Sequence, residues 1–417
     1  MWSGPPEHSR SEVATALANL ATYRSQIDAR RESLAGAAAE AVVAELVALA
    51  PTRTDADLED DLCTRIGIRL REWDEASIED HVAPNPFAEA IVAAAATSVR
   101  AALDRRDAEP DGWQRPWRVL AATARIVHYP LHETVTDAVN QLRDGPGRRV
   151  LPPAPAGPAA TGEVRWTRDA YGSRFGVTAA FSAPQAPHRW YLWDIDACGH
   201  EAFTVYCGYF PDPERALAQW RAGVGPVATV DAAFTPVDDP SLLAELLPFE
   251  EGFMRSGGES AVQFAEYHRS RRLAEAVRDA VDRDPAGRLA DLDAAAAVTE
   301  FTDWLRARRA GEAEPADLAE LVEELADSWR VGTPVELYGT CSPHRVALTV
   351  RHLRDYYQDD FADRLVALLP EWACWLAVRN GTPPELAERV RPYALGKPHP
   401  DLGSEDRQPE YLARVAE

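Results

Sequence analysis

Along most of the chain apolar residues recur at three- and four-residue steps, and along one central stretch they recur at every second residue. The helical spacing begins near Ser11 with Val13, Leu17, Leu20 and Ile27 and resumes at Val42, Val43, Leu46 and Val47. Leu58, Leu62, Ile66, Leu70 and Trp73 make a second stripe. A third helix is expected from Pro86, with Asn85 as its N-cap and Ile91, Ala95 and Val99 turned inward. Trp113, Trp117, Leu120, Ala124 and Val127 give a fourth, and Val135, Val139 and Leu142 a short fifth that Gly145-Pro146-Gly147 stops. Arg148 to Gly162 then carries the proline, alanine and glycine of a linker.

Beyond it the period becomes two. Val164, Trp166 and Arg168 predict one strand, and Phe175, Val177 and Ala179 another. Along Arg189–Asp196 the alternation puts Trp190, Leu192, Asp194 and Asp196 on one face and Tyr191, Trp193 and Ile195 on the other. Cys198-Gly199-His200 reads as the turn, and Phe203 to Tyr209 as the return strand. Asp212 and Pro213 then start a helix that turns Leu217, Trp220 and Val224 to one side. A further strand is expected at 228–234. Helical spacing returns at Ser260, which opens a capping box with Gln263. It continues through 289–308 and 316–329, from Ser342-Pro343 onward, and through 361–369 and 371–378, with a break expected at Pro370. A last helix runs from Pro384 to about Tyr393.

The fold class expected is mainly α, with a central small α+β module: an antiparallel β-meander plus helix, flanked by helical N-terminal and C-terminal domains. The divisions are residues 1–147, the linker 148–162, the module 163–250, the C-terminal helical domain 251–400 and a polar tail 401–417.

Charge removes some functional classes. A formal net charge of -23 opposes general binding to nucleic acid or to an anionic membrane. Of the 44 basic residues only Lys397 is a lysine, which with the alanine and proline load fits a high-GC genome. Five scattered cysteines suit a reduced compartment better than a disulfide framework. The N-terminus lacks a signal-peptide pattern, and no uninterrupted apolar run of roughly 20 residues is evident. A cytoplasmic protein is expected. There is no Walker motif, no GxGxxG after a strand and no nucleophile elbow, so no cofactor is expected and no motif names a reaction.

Three classes of function remain. The aromatic side chains Trp190, Trp193, Tyr206, Tyr209 and Trp220 crowd one small module, and a face of them suits a protein partner in a non-enzymatic regulatory role. A DNA-associated regulator would use the basic run Arg269, Arg271 and Arg272, with Arg389 and Arg391 on the second helix of a helix-turn-helix-like pair. A metal-dependent hydrolase would use Asp194, Asp196 and His200, since alternate residues of a strand point the same way. Against that last reading, acidic residues at a strand end are ordinarily solvated, and a histidine at a hairpin tip is ordinarily exposed.

The segments WYLWDIDACG, QFAEYHRSRRLAEA and CSPHRVALTVRHLRDYYQDDFADRLVALLP resemble stretches of uncharacterised proteins of high-GC actinobacteria. The order strand, glycine turn, strand, Gly-Tyr and helix is also similar to small antitoxin-like α+β modules. Neither resemblance implies an activity or assigns a role to any residue.

Overall fold

The structure, a computed structural model, describes residues 10–105, 111–145, 150–153, 156–183, 186–198, 202–248, 260–281, 294–310, 315–331, 333 and 337–399. Thirteen α-helices and one five-stranded antiparallel sheet make up the regular structure among them, the sheet lying mid-chain between helical stretches. The chain groups into two units: residues 1–157 with Tyr267–Arg269, and residues 158–266 with 270–417.

The first unit is built from α1 (Arg10–Leu49), α2 (Asp55–Asp74), α3 (Pro84–Asp104), α4 (Gln114–Ile126) and α5 (Leu131–Asp144). Helix α1 does not stop between Ile27 and Val42, because alanines fill that interval and favour the helix. Its buried side, Ala35, Ala39, Val42, Val43 and Leu46, packs on α3, where Phe87, Ile91, Ala95 and Val99 face inward. Thr54 caps α2 by accepting from the Asp57 N–H while Asp57 accepts from the Thr54 N–H, a reciprocal pair worth about 1 kcal/mol. Helix α3 starts at Pro84 and not at Pro86, so Asn85 lies inside the first turn. Segments Leu17–Thr52 and Pro84–Asp104 are long and apolar enough to cross a membrane by length and composition, a test that core helices also pass. In Pro84–Asp104 one apolar side is already used within the core of this unit.

The second unit begins with β1 (Ala159–Arg168), β2 (Arg174–Ala183), β3 (Ala186–Asp196) and β4 (Phe203–Phe210), followed by α6 (Pro213–Val224), the short β5 (Thr235–Pro236) and α7 (Pro240–Leu246). It continues through α8 (Ala261–Ala280), α9 (Ala294–Arg308), α10 (Leu318–Arg330), α11 (Pro343–Tyr356), α12 (Asp359–Arg379) and α13 (Pro384–Ala394). The sheet order is β4-β3-β2-β1-β5. β1 takes up the last four residues of the expected linker, 159–162. Residues 228–231 form a turn and 232–234 are irregular, and the fifth strand is only Thr235–Pro236 against Arg165 and Trp166.

Both sheet faces are covered. On one, Phe175, Val177, Tyr191, Trp193 and Ile195 pack with Leu242, Leu243 and Leu246 of α7 and Leu273, Ala274 and Val277 of α8. On the other, Leu192 lies under Ala216 and Trp220 of α6. A Cβ at Gly176 would sit 3.0 Å from the Trp220 ring and 3.1 Å from Thr167, so glycine at that strand position lets α6 settle close on the sheet. A further core joins α9 to α13 through Phe301, Leu325, Leu353, Leu369, Trp372 and Trp375. Helix α12 runs through Pro370 unbroken, because Leu365, Leu368, Leu369, Trp372 and Ala373 on both sides of it are buried. Packing there outweighs the hydrogen bond that proline cannot donate.

The aromatic docking face expected from the sequence therefore needs correction. Trp193 and Trp220 have no exposed surface, and the Trp193 Nε1–H donates to the Ser270 carbonyl at 3.2 Å. Trp190, Tyr206 and Tyr209 are half-buried. The alternation was read as leaving one face free, whereas helices from outside the meander cover the Trp193 face. Trp193→Ala should cost about 3–5 kcal/mol in urea unfolding. A loss below about 1 kcal/mol would restore Trp193 as a surface residue.

Candidate functional site

Three loops of the second unit meet at the end of β3. The first is the β1–β2 turn, Asp169-Ala-Tyr-Gly-Ser173, closed by hydrogen bonds from the Asp169 N–H to the Arg174 carbonyl and from the Gly172 N–H to the Asp169 carbonyl. Gly172 supplies the positive φ of 75° that this turn requires. The Asp169 carboxylate accepts from the N–H groups of Ser173 and Arg174, at 2.9 and 3.1 Å. The second loop is the exit of β3, where the Cys198 N–H donates to Asp196 Oδ1 at 2.8 Å. The third is the start of α11, capped by Ser342, whose hydroxyl accepts from the Arg345 N–H at 3.1 Å.

These loops bring polar groups together in a mostly dry place. Arg174 donates through two nitrogens to Asp194, at 2.9 and 2.8 Å. His344 Nδ1 lies 3.2 Å from Asp196 Oδ2. The Cys198 thiol donates to Ser173 Oγ at 3.1 Å, and its sulfur lies 3.2 Å from Ser342 Oγ. Arg345 is buried, with hydrogen bonds to the carbonyls of Leu337 and Trp329 and to Thr340 Oγ1. Its guanidinium also sits 4.4 Å from the centre of the Trp329 ring. Asp196, Cys198 and His344 each present a ligating atom within 4.8 Å of the other two.

Burial and neighbouring charge set the protonation states. Burial works against the Arg174 charge, but the fork onto Asp194 keeps the guanidinium protonated. Burial would raise Asp196; the facing His344 imidazole, its hydrogen bond and Arg174 outweigh it and hold the carboxyl far below the usual range. Burial pushes Asp169 up to about 6, only partly offset by the N–H groups of Arg174 and Ser173 and reinforced by Asp196. Burial, and after it Asp196 and Asp169, raise the Cys198 thiol well above its ordinary value. That is the reverse of a nucleophilic cysteine, which needs an electropositive setting.

The cluster forms the base of a cleft of about 470 Å³. Its walls include Tyr171, the segment 224–228 after α6, Arg389 and Tyr393 of α13, and Lys397 and His399 beyond it. The His399 ring lies 5.2 Å from that of His344 and 5.0 Å from that of Tyr393, so the α13 end leans over the cluster.

The residues proposed from sequence are redistributed by this arrangement. Asp194 and Asp196 share a face as expected, yet both are buried rather than solvated. Their roles separate: Asp194 belongs to Arg174, and Asp196 to His344 and Cys198. His200 lies outside the described residues, as does Gly199. Arg269 is buried with its charge on Asp60, so it does not present a basic face to DNA. Arg271 is half-buried, as is Arg272, which pairs with Glu275 at 3.1 Å. Arg389 and Arg391 are exposed on α13, where Arg389 lines the cleft. Sequence reasoning missed Asp169, Arg174 and His344; the one signal for His344 was its place directly after the Ser342-Pro343 helix start.

Family models, curated proteins and solved structures were compared with the chain, and none of them matches it.

The raised Asp169 carboxyl has a consequence for stability. The folded chain holds this proton up to about pH 6, whereas an unfolded carboxyl loses it near 3.8. Its contribution is full below roughly pH 4 and is lost as pH rises through about 6. Asp169→Asn keeps an oxygen for the two N–H donors and removes the titration. The variant should gain on the parent by up to about 3 kcal/mol between pH 4 and pH 8, measured by denaturant unfolding at both. An equal difference at the two pH values would contradict this account.

Proposed function

We propose that the second unit is a metal-dependent hydrolase in which Asp196, Cys198 and His344 hold a zinc ion at the base of the cleft. One observation carries the reading: a carboxylate, a thiol and an imidazole from two separate parts of the chain converge within 4.8 Å at the floor of a cavity. Three protein ligands with a side open to a cleft is the pattern of catalytic rather than structural zinc. Zinc, at about 2.3 Å from sulfur and about 2.0 Å from nitrogen or oxygen, sets its ligands roughly 3.5 Å apart, a spacing that the Asp196–His344 pair at 3.2 Å is already near and that needs only small side-chain shifts within the 4.8 Å cluster.

The electrostatics support the reading. A thiol surrounded by Asp196 and Asp169 stays protonated by itself, and a cation relieves both the buried carboxylate charge and the cost of forming thiolate. Ser173 and Ser342 flank the sulfur and orient it; Arg345 ties the loop at Leu337 and Thr340 to α11 and so fixes His344. A zinc ion held there would supply a water of lowered pKa. Asp169, on the same cleft, would be the carboxyl placed to exchange a proton at that site.

Protein purified without chelator should contain about one zinc per chain by elemental analysis. His344→Ala and Cys198→Ala should each lower zinc content at least tenfold at saturating chain concentration, while Arg391→Ala leaves it unchanged. Zinc should also raise the unfolding temperature of the parent and not of the two variants. Variants that destabilise the chain without any zinc binding in the parent would leave the cluster as a structural ion-pair network.

A further inference from the structure

We infer that the substrate is a small organic anion, a carboxylate or phosphate on a partly apolar body, whose charge is held by Arg389 and Lys397. The inference rests on the metal reading of the same cleft and adds the class of molecule presented to the ion.

The first support is charge placement. The acidic residues lining the cleft, Asp169 and Asp196, are both buried at its floor and engaged there by the N–H groups of Ser173 and Arg174 and by His344 and the Cys198 N–H. The exposed lining charges are Arg389 and Lys397, in a chain whose net charge is -23. A cationic rim on an acidic molecule concentrates anions at that one place.

The second support is how the rim is built. The Arg389 charge faces the Tyr171 hydroxyl across the cleft lining and opposes the rise that burial imposes on that tyrosine. After α13 the chain turns back with the Gly396 N–H on the Tyr393 carbonyl and the Lys397 N–H on the Pro392 carbonyl, both at 3.0 Å. Gly396 takes a φ of 87° there, a conformation that favours glycine. That turn places the Lys397 ammonium 5.4 Å from the centre of the Tyr393 ring, on the cleft wall. Arginine fills every other basic position in this chain, so the one lysine at the cleft marks a place where a compact ammonium differs from a planar fork.

The third support is size and polarity. A cavity of about 470 Å³ falls within the range for small-molecule sites and is too small for a folded partner. Val224, Pro226, Val227, Pro343 and Pro392 line it beside the charged groups, which suits an apolar body behind the anionic head.

The test uses two probes, inorganic phosphate and benzoate, titrated calorimetrically into the full chain with zinc added and again after chelator dialysis. One or both should bind, and Arg389→Ala and Lys397→Ala should each weaken that binding roughly 10- to 100-fold, the loss of one charge-assisted hydrogen bond. Lys397→Arg should recover part of the affinity, and Arg391→Ala, on the same helix but off the cleft lining, should bind as the parent does. Preference for benzoate identifies a carboxylate with an apolar body, and preference for phosphate a phosphoryl group; either supports the inference. No binding of either probe overturns it, as does binding that needs zinc but ignores both alanine variants, since the anion then sits on the ion alone. Zinc content is measured in the same samples. Zinc without anion binding removes this inference and leaves the metal reading; anion binding that depends on the rim without zinc removes the metal reading and leaves the anion site.

Discussion

The second unit is organised around a set of ionisable side chains buried where β3 ends. Desolvating an ionised group costs several kcal/mol, so each must find its partner within the protein. Arg174 finds Asp194 through two hydrogen bonds, Asp196 finds His344, and Asp169 takes two backbone N–H groups. Arg345 is surrounded by carbonyls and a hydroxyl. The Asp194 and Asp169 contacts close within the meander, and Arg345 takes the loop before α11 and the end of α10. The Asp196–His344 contact, with the Cys198 sulfur beside Ser342, joins the end of β3 to the first turn of α11 and couples the sheet to the C-terminal helices. It also explains why the meander and the helices from α9 to α13 belong to one unit rather than two.

The same arrangement is expensive for a purely structural purpose. A Leu or Val at Asp169 or Asp196 would fill space without a desolvation cost, and apolar replacement of buried ion pairs is often neutral or stabilising. Asp169 with its carboxyl near 6 and Cys198 with its thiol raised both line a cavity open to a small molecule. Perturbed groups in a cleft are what mark it as a candidate site. The proposed zinc and anion readings use the floor and the rim of that cleft respectively, and they draw on different residues.

The first unit obeys simpler rules. Alanines along α1 and α3 let the two helices approach closely, and branched residues fill the remaining space. Its exposed ion pairs, such as Arg69 with Glu72 and Arg71 with Glu75, lie along one helix and contribute a few tenths of a kcal/mol each. Among the described residues, the convergence of three ligand types found at Asp196, Cys198 and His344 belongs to the second unit.

Local periodicity was enough to read the helices α2, α4, α6 and α11 and the strands β1 to β4, since spacing, caps and turn residues act within a few positions of each other. The capping box at Ser260 and Gln263 was legible for the same reason. So was the shared face of Asp194 and Asp196. The break expected at Pro370 does not form because distant packing overrules local propensity there. The aromatic stripe was misread because alternation shows which side chains share a face and not what covers that face. The site was half legible: Asp196 and Cys198 lie two positions apart in the sequence, whereas His344 is brought in by the fold. What the sequence by itself determined is the run of elements, each settled by neighbours along the chain. The tertiary structure alone decided which carboxylate meets Arg174, which meets His344 and where the one lysine points, because burial and Coulomb energy depend on distance in space.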